Sequence, residues 1–203
     1  MCSNETDDWL HQAADDGQTF WHRGWVPGTG GNLSVRVPDR PGHQWITASG
    51  TDLADVSAAD FVKADLSGTA VDSAQSPSGE APVHGIIYRN IDAASAVYHI
   101  HHLEAVLCSE EDRSDRATRF ENVVMVKALG FGRHDDPVRV PVVADLSEVG
   151  RLAAEIASAI QKPPTDERPP AVMVANHGLF VWGATPSQAR RHTESLAWLY
   201  EWS

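Results

Sequence analysis

The 203-residue chain predicts an α/β fold of one domain, 1–203, with a largely antiparallel or mixed sheet between helices. Three observations carry this. Helical and strand patterns come in mixed order, with strands often adjacent, which fits a doubly wound parallel sheet poorly. The stretch AVMVANHGLFVWG reads as two strands folded back around Asn176-His177-Gly178. No internal repeat or long linker divides the chain, and its length suits one sizeable core.

The elements follow in order. Residues 6–23 predict a helix with Leu10, Ala13, Ala14, Phe20 and Trp21 on one side, Asp7 and Asp8 in its first turn and Gly24 as its stop. A glycine-rich loop, GTGGN, leads into a strand in which Leu33, Val35 and Val37 alternate as in a half-buried sheet. QWIT is the returning strand and FVKADL (61–66) a third. Residues 68–79 are small and polar and predict a loop. The next helix has Pro82 near its start and Val83, Ile86 and Ile87 on one side. SAVYHI is a strand and HLEAVLCSEE a helix; 122–128 and 138–143 are strand candidates. Residues 147–161 predict a helix capped by Ser147 with a stripe of Leu152, Ile156 and Ile160. KPPTDERPP is a surface loop, and 186–201 an amphipathic closing helix.

Composition narrows the function classes. Hydrophobic residues at 42% indicate a globular chain. A net charge of −12 argues against a nucleic-acid or anionic-membrane surface, yet backbone N–H groups can still bind a phosphate locally. The first residues lack the basic and apolar pattern of a signal peptide, and no apolar run is long enough to span a membrane. Cys2 and Cys108 are too few for a disulfide framework. A reduced, cytoplasmic setting is expected.

His99 and His101 stand two apart at the end of an apolar run, so on a strand both imidazoles leave one face. Two readings stand for them, a metal pair or two half-buried histidines. His177, in a tight turn where Gly178 allows a positive φ, could complete a three-histidine site with an open position, the pattern of catalytic zinc. His84, His102, His134 and His192 read as surface or supporting residues. Glu80 opens the helix before the histidine strand, either as favourable charge at a helix N-terminus or as an acid/base beside the metal. Thr29, Asn32, Ser49 and Ser78 lie on glycine-rich turns that could together nest a phosphate, although each turn alone reads as hairpin chemistry.

GTGGNLSVR, ITASG, SPSGE, AVYHIHH and VANHGLFVWG, in this order, resemble the class II aldolase/adducin family, from about Trp9 to Trp202. The resemblance implies an α/β/α layered fold around a mainly antiparallel sheet, a homotetramer, and one Zn²⁺ per subunit on His99, His101 and His177. It implies a phosphorylated ketose as substrate, with its phosphate on Thr29, Asn32, Ser49, Gly50, Ser78 and Gly79. Glu80 matches the acid/base glutamate of the aldolases. The Val-Trp-Gly ending of the last strand resembles the dehydratases of the family more than its sugar-phosphate aldolases. Those dehydratases carry E-x-x-K-x-L, whose glutamate falls here on Val124, with Glu121 three residues earlier. On a strand, positions 121 and 124 face opposite ways, so Glu121 is a second acid/base candidate rather than a direct substitute. The expected activity is a zinc lyase, by dehydration or else by aldol cleavage. A non-catalytic adducin-like domain is the third reading, opposed by the three intact histidines.

Overall fold

The computed structural model describes residues 2–133, 137–162 and 169–203. His134 and much of the 162–170 loop lie outside them. The elements are α1 (Cys2–His22), β1 (Asn32–Arg36), β2 (His43–Thr47), β3 (Phe61–Asp65), α2 (Ala81–Asn90), β4 (Ala96–Ile100) and α3 (Leu103–Glu111). They continue with β5 (Ala117–Phe120), β6 (Val138–Val143), α4 (Val149–Gln161), β7 (Ala171–Val174), β8 (Gly178–Gly183) and α5 (Pro186–Trp202). Among the described residues the strands form one sheet of eight, ordered β3-β2-β1-β4-β8-β7-β6-β5. The pairings are antiparallel except β6 with β7, so the sheet is mixed.

Helices cover both faces. On one, Leu33, Val35, Tyr98, Leu179 and Val181 pack with Phe20 of α1, Ala105 of α3 and Leu196 of α5. On the other, Val97, Val172, Phe180 and Trp182 pack with Val83 and Ile87 of α2 and with Leu152, Ile156 and Ile160 of α4. Each central strand is therefore buried on both faces. The alternation in β1 does not mark a solvent face, because Asn32 and Ser34, which alternate with Leu33 and Val35, point into the α2 layer and are buried. Among the described residues no helix is long and apolar enough to cross a membrane.

Several boundaries differ from expectation. α1 begins before residue 6, and Gly24 ends it at φ +75° as expected. Glu148, not Ser147, holds the N-cap position of α4. The expected strand at 122–128 is a 3₁₀ helix over Val124–Leu129, and the edge strand β5 precedes it. Val123, Val126 and Leu129 are the buried residues there, and a spacing of three is the 3₁₀ period.

Candidate metal centre

The sheet register builds the centre. Asn32, His99 and Phe180 are aligned neighbours on β1, β4 and β8. His99 is fully buried and stacks on Phe180, with ring centroids 4.0 Å apart at 12°. Its Nδ1–H donates to the Leu179 carbonyl at 3.0 Å, which leaves Nε2 bare and aimed away from the strand. His101 follows just past β4, where its backbone N–H donates to the Trp25 carbonyl. His177 sits in the β7–β8 turn.

Two glycine features let these imidazoles meet. The positive φ of the β7–β8 turn belongs to Asn176, at +59°, and not to Gly178. Gly178 is required for room: a Cβ there would lie 2.3 Å from the Ile100 carbonyl oxygen and within 3 Å of both the His99 and His101 rings. A Cβ on Gly30 would lie 2.8 Å from His101 Nδ1, so the glycine-rich loop can pass directly over that ring.

The ligand atoms of His99, His101 and His177 all lie within 4.8 Å of one another, with His99 Nε2 and His101 Nε2 2.9 Å apart. Burial, then the neighbouring imidazoles, push His99 far below the ordinary histidine range and lower His101 as well. Neutral imidazole is the form that ligates metal. Glu80, at the N-cap position of α2, completes the group. Its Oε2 is 3.3 Å from His99 Nε2 and its Oε1 3.5 Å from His177 Nε2. Oε1 is buried with no hydrogen-bond partner. An orphaned carboxylate oxygen beside three converging imidazole nitrogens is a donor set that fits a divalent ion.

Asp145, which sequence reasoning missed, lies just beyond β6 with Oδ1 3.5 Å from His177 Nδ1. Among the described residues His177 Nδ1 makes no hydrogen bond, so Asp145 stands behind the ring as an electrostatic neighbour. No sequence motif marks it; the parallel β6–β7 pairing brings it there.

A polar cavity of about 190 Å³ adjoins the centre. Thr29, Asn32, Ser49, Gly50 and Ser78 line it with Glu80 and His101; Gly79 does not. The backbone N–H groups of Ser49 and Ser78 are engaged by the Ser76 and Thr47 carbonyls, so these serines offer hydroxyls rather than a backbone nest. Asn32 has a second engagement, its amide donating to Glu80 Oε2 at 2.7 Å.

Glu121 and Val124 stand apart. The two-faces argument for positions 121 and 124 falls with the strand it assumed. Phe120 pairs with Val138 at the start of β6, whereas Asp145 and His177 meet beyond its far end. Six residues at ~3.3 Å each put Glu121 roughly 20 Å from the centre of its own chain. Both residues are exposed. His84, His102 and His192 are all buried, not surface residues. His102 caps α3 through the Ala105 N–H, and His192 Nδ1 bonds the Trp182 carbonyl.

Comparison with known proteins agrees with this architecture. Residues 12–203 match the profile of the class II aldolase and adducin N-terminal domain. Methylthioribulose-1-phosphate dehydratase of Serratia proteamaculans (strain 568) is 34% identical over 180 residues, 88% of this chain and 85% of that protein. The Enterobacter sp. (strain 638) protein of the same name is 35% identical over 182 residues, with the same coverage of 88% and 85%. L-fuculose-1-phosphate aldolase of Thermus thermophilus shares the fold, with a TM-score of 0.72 at 23% identity over 99% of this chain and 94% of that one. Since the match runs from within the first helix to the last residue and takes in every strand that shapes the centre, the chain belongs to the class II aldolase and adducin family.

Proposed function

We propose that this chain is a zinc-dependent hydro-lyase that dehydrates 5-methylthioribulose 1-phosphate to a diketo phosphate, as in methionine salvage. What carries the reading is the identity to dehydratases of that name across most of both chains. The convergence of three imidazoles, a carboxylate oxygen without a hydrogen-bond partner and a hydroxyl-lined cavity supports it. Residues 1–203 act as one domain, in a cytoplasmic homotetramer.

His99, His101 and His177 would hold one Zn²⁺, and when bound it supplies Lewis acidity toward the substrate's oxygens. Three nitrogens suit zinc better than magnesium or calcium. Asp145 lies behind the His177 ring, 3.5 Å from its Nδ1. The hydroxyls of Thr29, Ser49 and Ser78 bind the phosphate, with Gly50 leaving room for it and Gly79 close behind in the loop. That contact orients the sugar at its far end. Glu80 Oε1 accepts the proton from C3 and delivers it to the C4 hydroxyl, which leaves as water when the C4–O bond breaks. The enol so formed becomes the diketone.

A second reading, aldol cleavage to dihydroxyacetone phosphate and an aldehyde, is favoured by one observation. The carboxylate at the centre is Glu80, while Val124 and Glu121 lie well away from it. Incubation of the zinc-loaded protein with 5-methylthioribulose 1-phosphate separates the readings. Dehydration gives a diketone absorbance and no dihydroxyacetone phosphate. Dihydroxyacetone phosphate from any ketose 1-phosphate establishes cleavage, and absence of both products defeats the lyase reading.

A further inference from the structure

Behind Glu80 runs a buried chain of polar groups that zinc binding and phosphate binding leave unexplained. Glu80 Oε2 accepts from Asn32 Nδ2 at 2.7 Å. Asn32 Oδ1 meets His84 Nε2 at 2.6 Å, His84 Nδ1 meets Ser34 Oγ at 2.7 Å, and Ser34 Oγ meets Tyr88 OH at 2.8 Å. Asn32, Ser34, His84 and Tyr88 are each buried. The chain is a ladder between α2 and β1. Glu80, His84 and Tyr88 are spaced by four along the helix start and body, while Asn32 and Ser34 are spaced by two along the strand. Four helical residues rise ~6 Å and two strand residues ~6.7 Å, so the rungs stay in step.

Donor counting fixes the direction of each bond. Asn32 presents its NH₂ to Glu80 Oε2, an oxygen that serves as acceptor. The Asn32 carbonyl oxygen then faces His84, whose Nε2 must carry the proton. Burial keeps His84 neutral, pushing it down to about 3, so its Nδ1 is bare and accepts from the Ser34 hydroxyl. Ser34 in turn accepts from Tyr88. The opposite tautomer would turn the amide and set Asn32 Oδ1 against Glu80 Oε2, two acceptors at hydrogen-bond distance. Phe180 packs edge-on against His84, with centroids 5.6 Å apart at 82°, and stacks on His99.

We propose that His84 is a positioning residue, which as the Nε2–H tautomer locks the Asn32 amide so that Glu80 is held by Oε2 and keeps Oε1 free for the substrate. This rests on the reading of Glu80 as the acid/base. The arrangement gives the Asn32 amide two bonds, its NH₂ on the carboxylate and its oxygen on His84, and the His84 N–H stops it from exchanging them.

Two measurements test it. In the first, kcat, KM and zinc content are compared for the wild type, His84→Leu, His84→Gln and Glu80→Gln, with His84→Leu also made in the Glu80→Gln background. His84→Leu is expected to lower kcat about 10–100-fold, part of the range of a positioned acid/base, with KM and zinc content little changed. His84→Gln keeps an amide N–H toward Asn32 and should recover most of the loss. In the Glu80→Gln background, His84→Leu should cost nothing further. Full activity of His84→Leu, or effects of His84 and Glu80 that multiply, overturns the proposal. The second measurement needs no turnover: ¹⁵N NMR of the wild-type protein should show His84 protonated on Nε2 and bare on Nδ1. A proton on Nδ1 overturns the proposal even if His84→Leu fails to fold. If the wild type turns over no ketose phosphate while NMR shows the Nε2–H form, the lyase reading fails and the orientation of Asn32 stands.

Discussion

At the residue scale, the roles of the two glutamates are separable. Glu80→Gln keeps size and hydrogen bonding but removes basicity, so kcat should fall by ~10²–10⁴ with zinc still bound. Glu121→Gln should do much less; steady-state kinetics with metal analysis checks both, and the reverse pattern would show that a neighbouring copy brings Glu121 to the centre. Gly178→Ala tests how closely β8 approaches the imidazoles. Its Cβ would meet the Ile100 carbonyl oxygen at 2.3 Å, backbone that cannot rotate away. A loss of about 1–3 kcal/mol in denaturant unfolding is expected, with weaker zinc binding in competition with a chelator. His99 and His101 could be read in the sequence as a same-face pair because His-x-His at a strand end has a fixed geometric meaning, whereas His177 joined them only through its tight turn and the family resemblance. Asp145 could not, since it reaches His177 only through a strand pairing. Nor could the Asn32–Glu80 bond, because an asparagine in a glycine-rich turn reads equally well as a phosphate ligand.

At the element scale, α1, β4 and α5 are tied by a buried acid. Asp16 is fully buried, accepts from Tyr98 OH at 2.8 Å, and lies 3.4 Å from the Arg190 guanidinium. Burial raises it from 3.8 to about 6, against the Tyr98 bond and Arg190, with Glu194 and Asp15 adding to the rise. The folded protein therefore holds this proton more tightly than the unfolded chain. Its contribution to stability is complete below pH ~4, is lost as pH rises to ~6, and is flat above; the span corresponds to roughly 3 kcal/mol. Asp16→Asn keeps an acceptor for Tyr98 and should remove that part of the slope, which denaturant titrations of both proteins from pH 4 to 8 would reveal. Most helices and strands were legible because amphipathic and alternating patterns survive in single sequences. The segment after Phe120 was not, because a valine-rich run with buried positions every three residues reads as β until its tight helical turn is seen.

At the scale of the whole molecule, a strip of apolar side chains lies uncovered on the α3–α5 side. Leu103 and Leu107 stand one turn apart on α3 and are 62% and 61% exposed, and Trp198 and Trp202 one turn apart on α5 are 41% and 56% exposed. The two helices touch there, with Cys108 Sγ 3.6 Å from Ser203 Oγ. Exposed apolar residues on neighbouring helices are the kind of surface that a subunit contact covers, and the proposed homotetramer supplies one. Light scattering at micromolar concentration should give four chains for the wild type and a smaller species for Leu107→Asp/Trp202→Asp. A wild-type monomer would refute the assembly.

The register that aligns Asn32, His99 and Phe180 has a consequence for how the chain comes to its centre. Those pairings close loops between strands far apart in the sequence, and the third imidazole arrives only when β8 seats against β4. Contacts of such long range are the slow ones in folding. A chain that has not yet paired β8 with β4 thus brings at most His99 and His101 together, without His177. With the proposed three-histidine grip, full metal binding is expected to follow the pairing of β8 with β4.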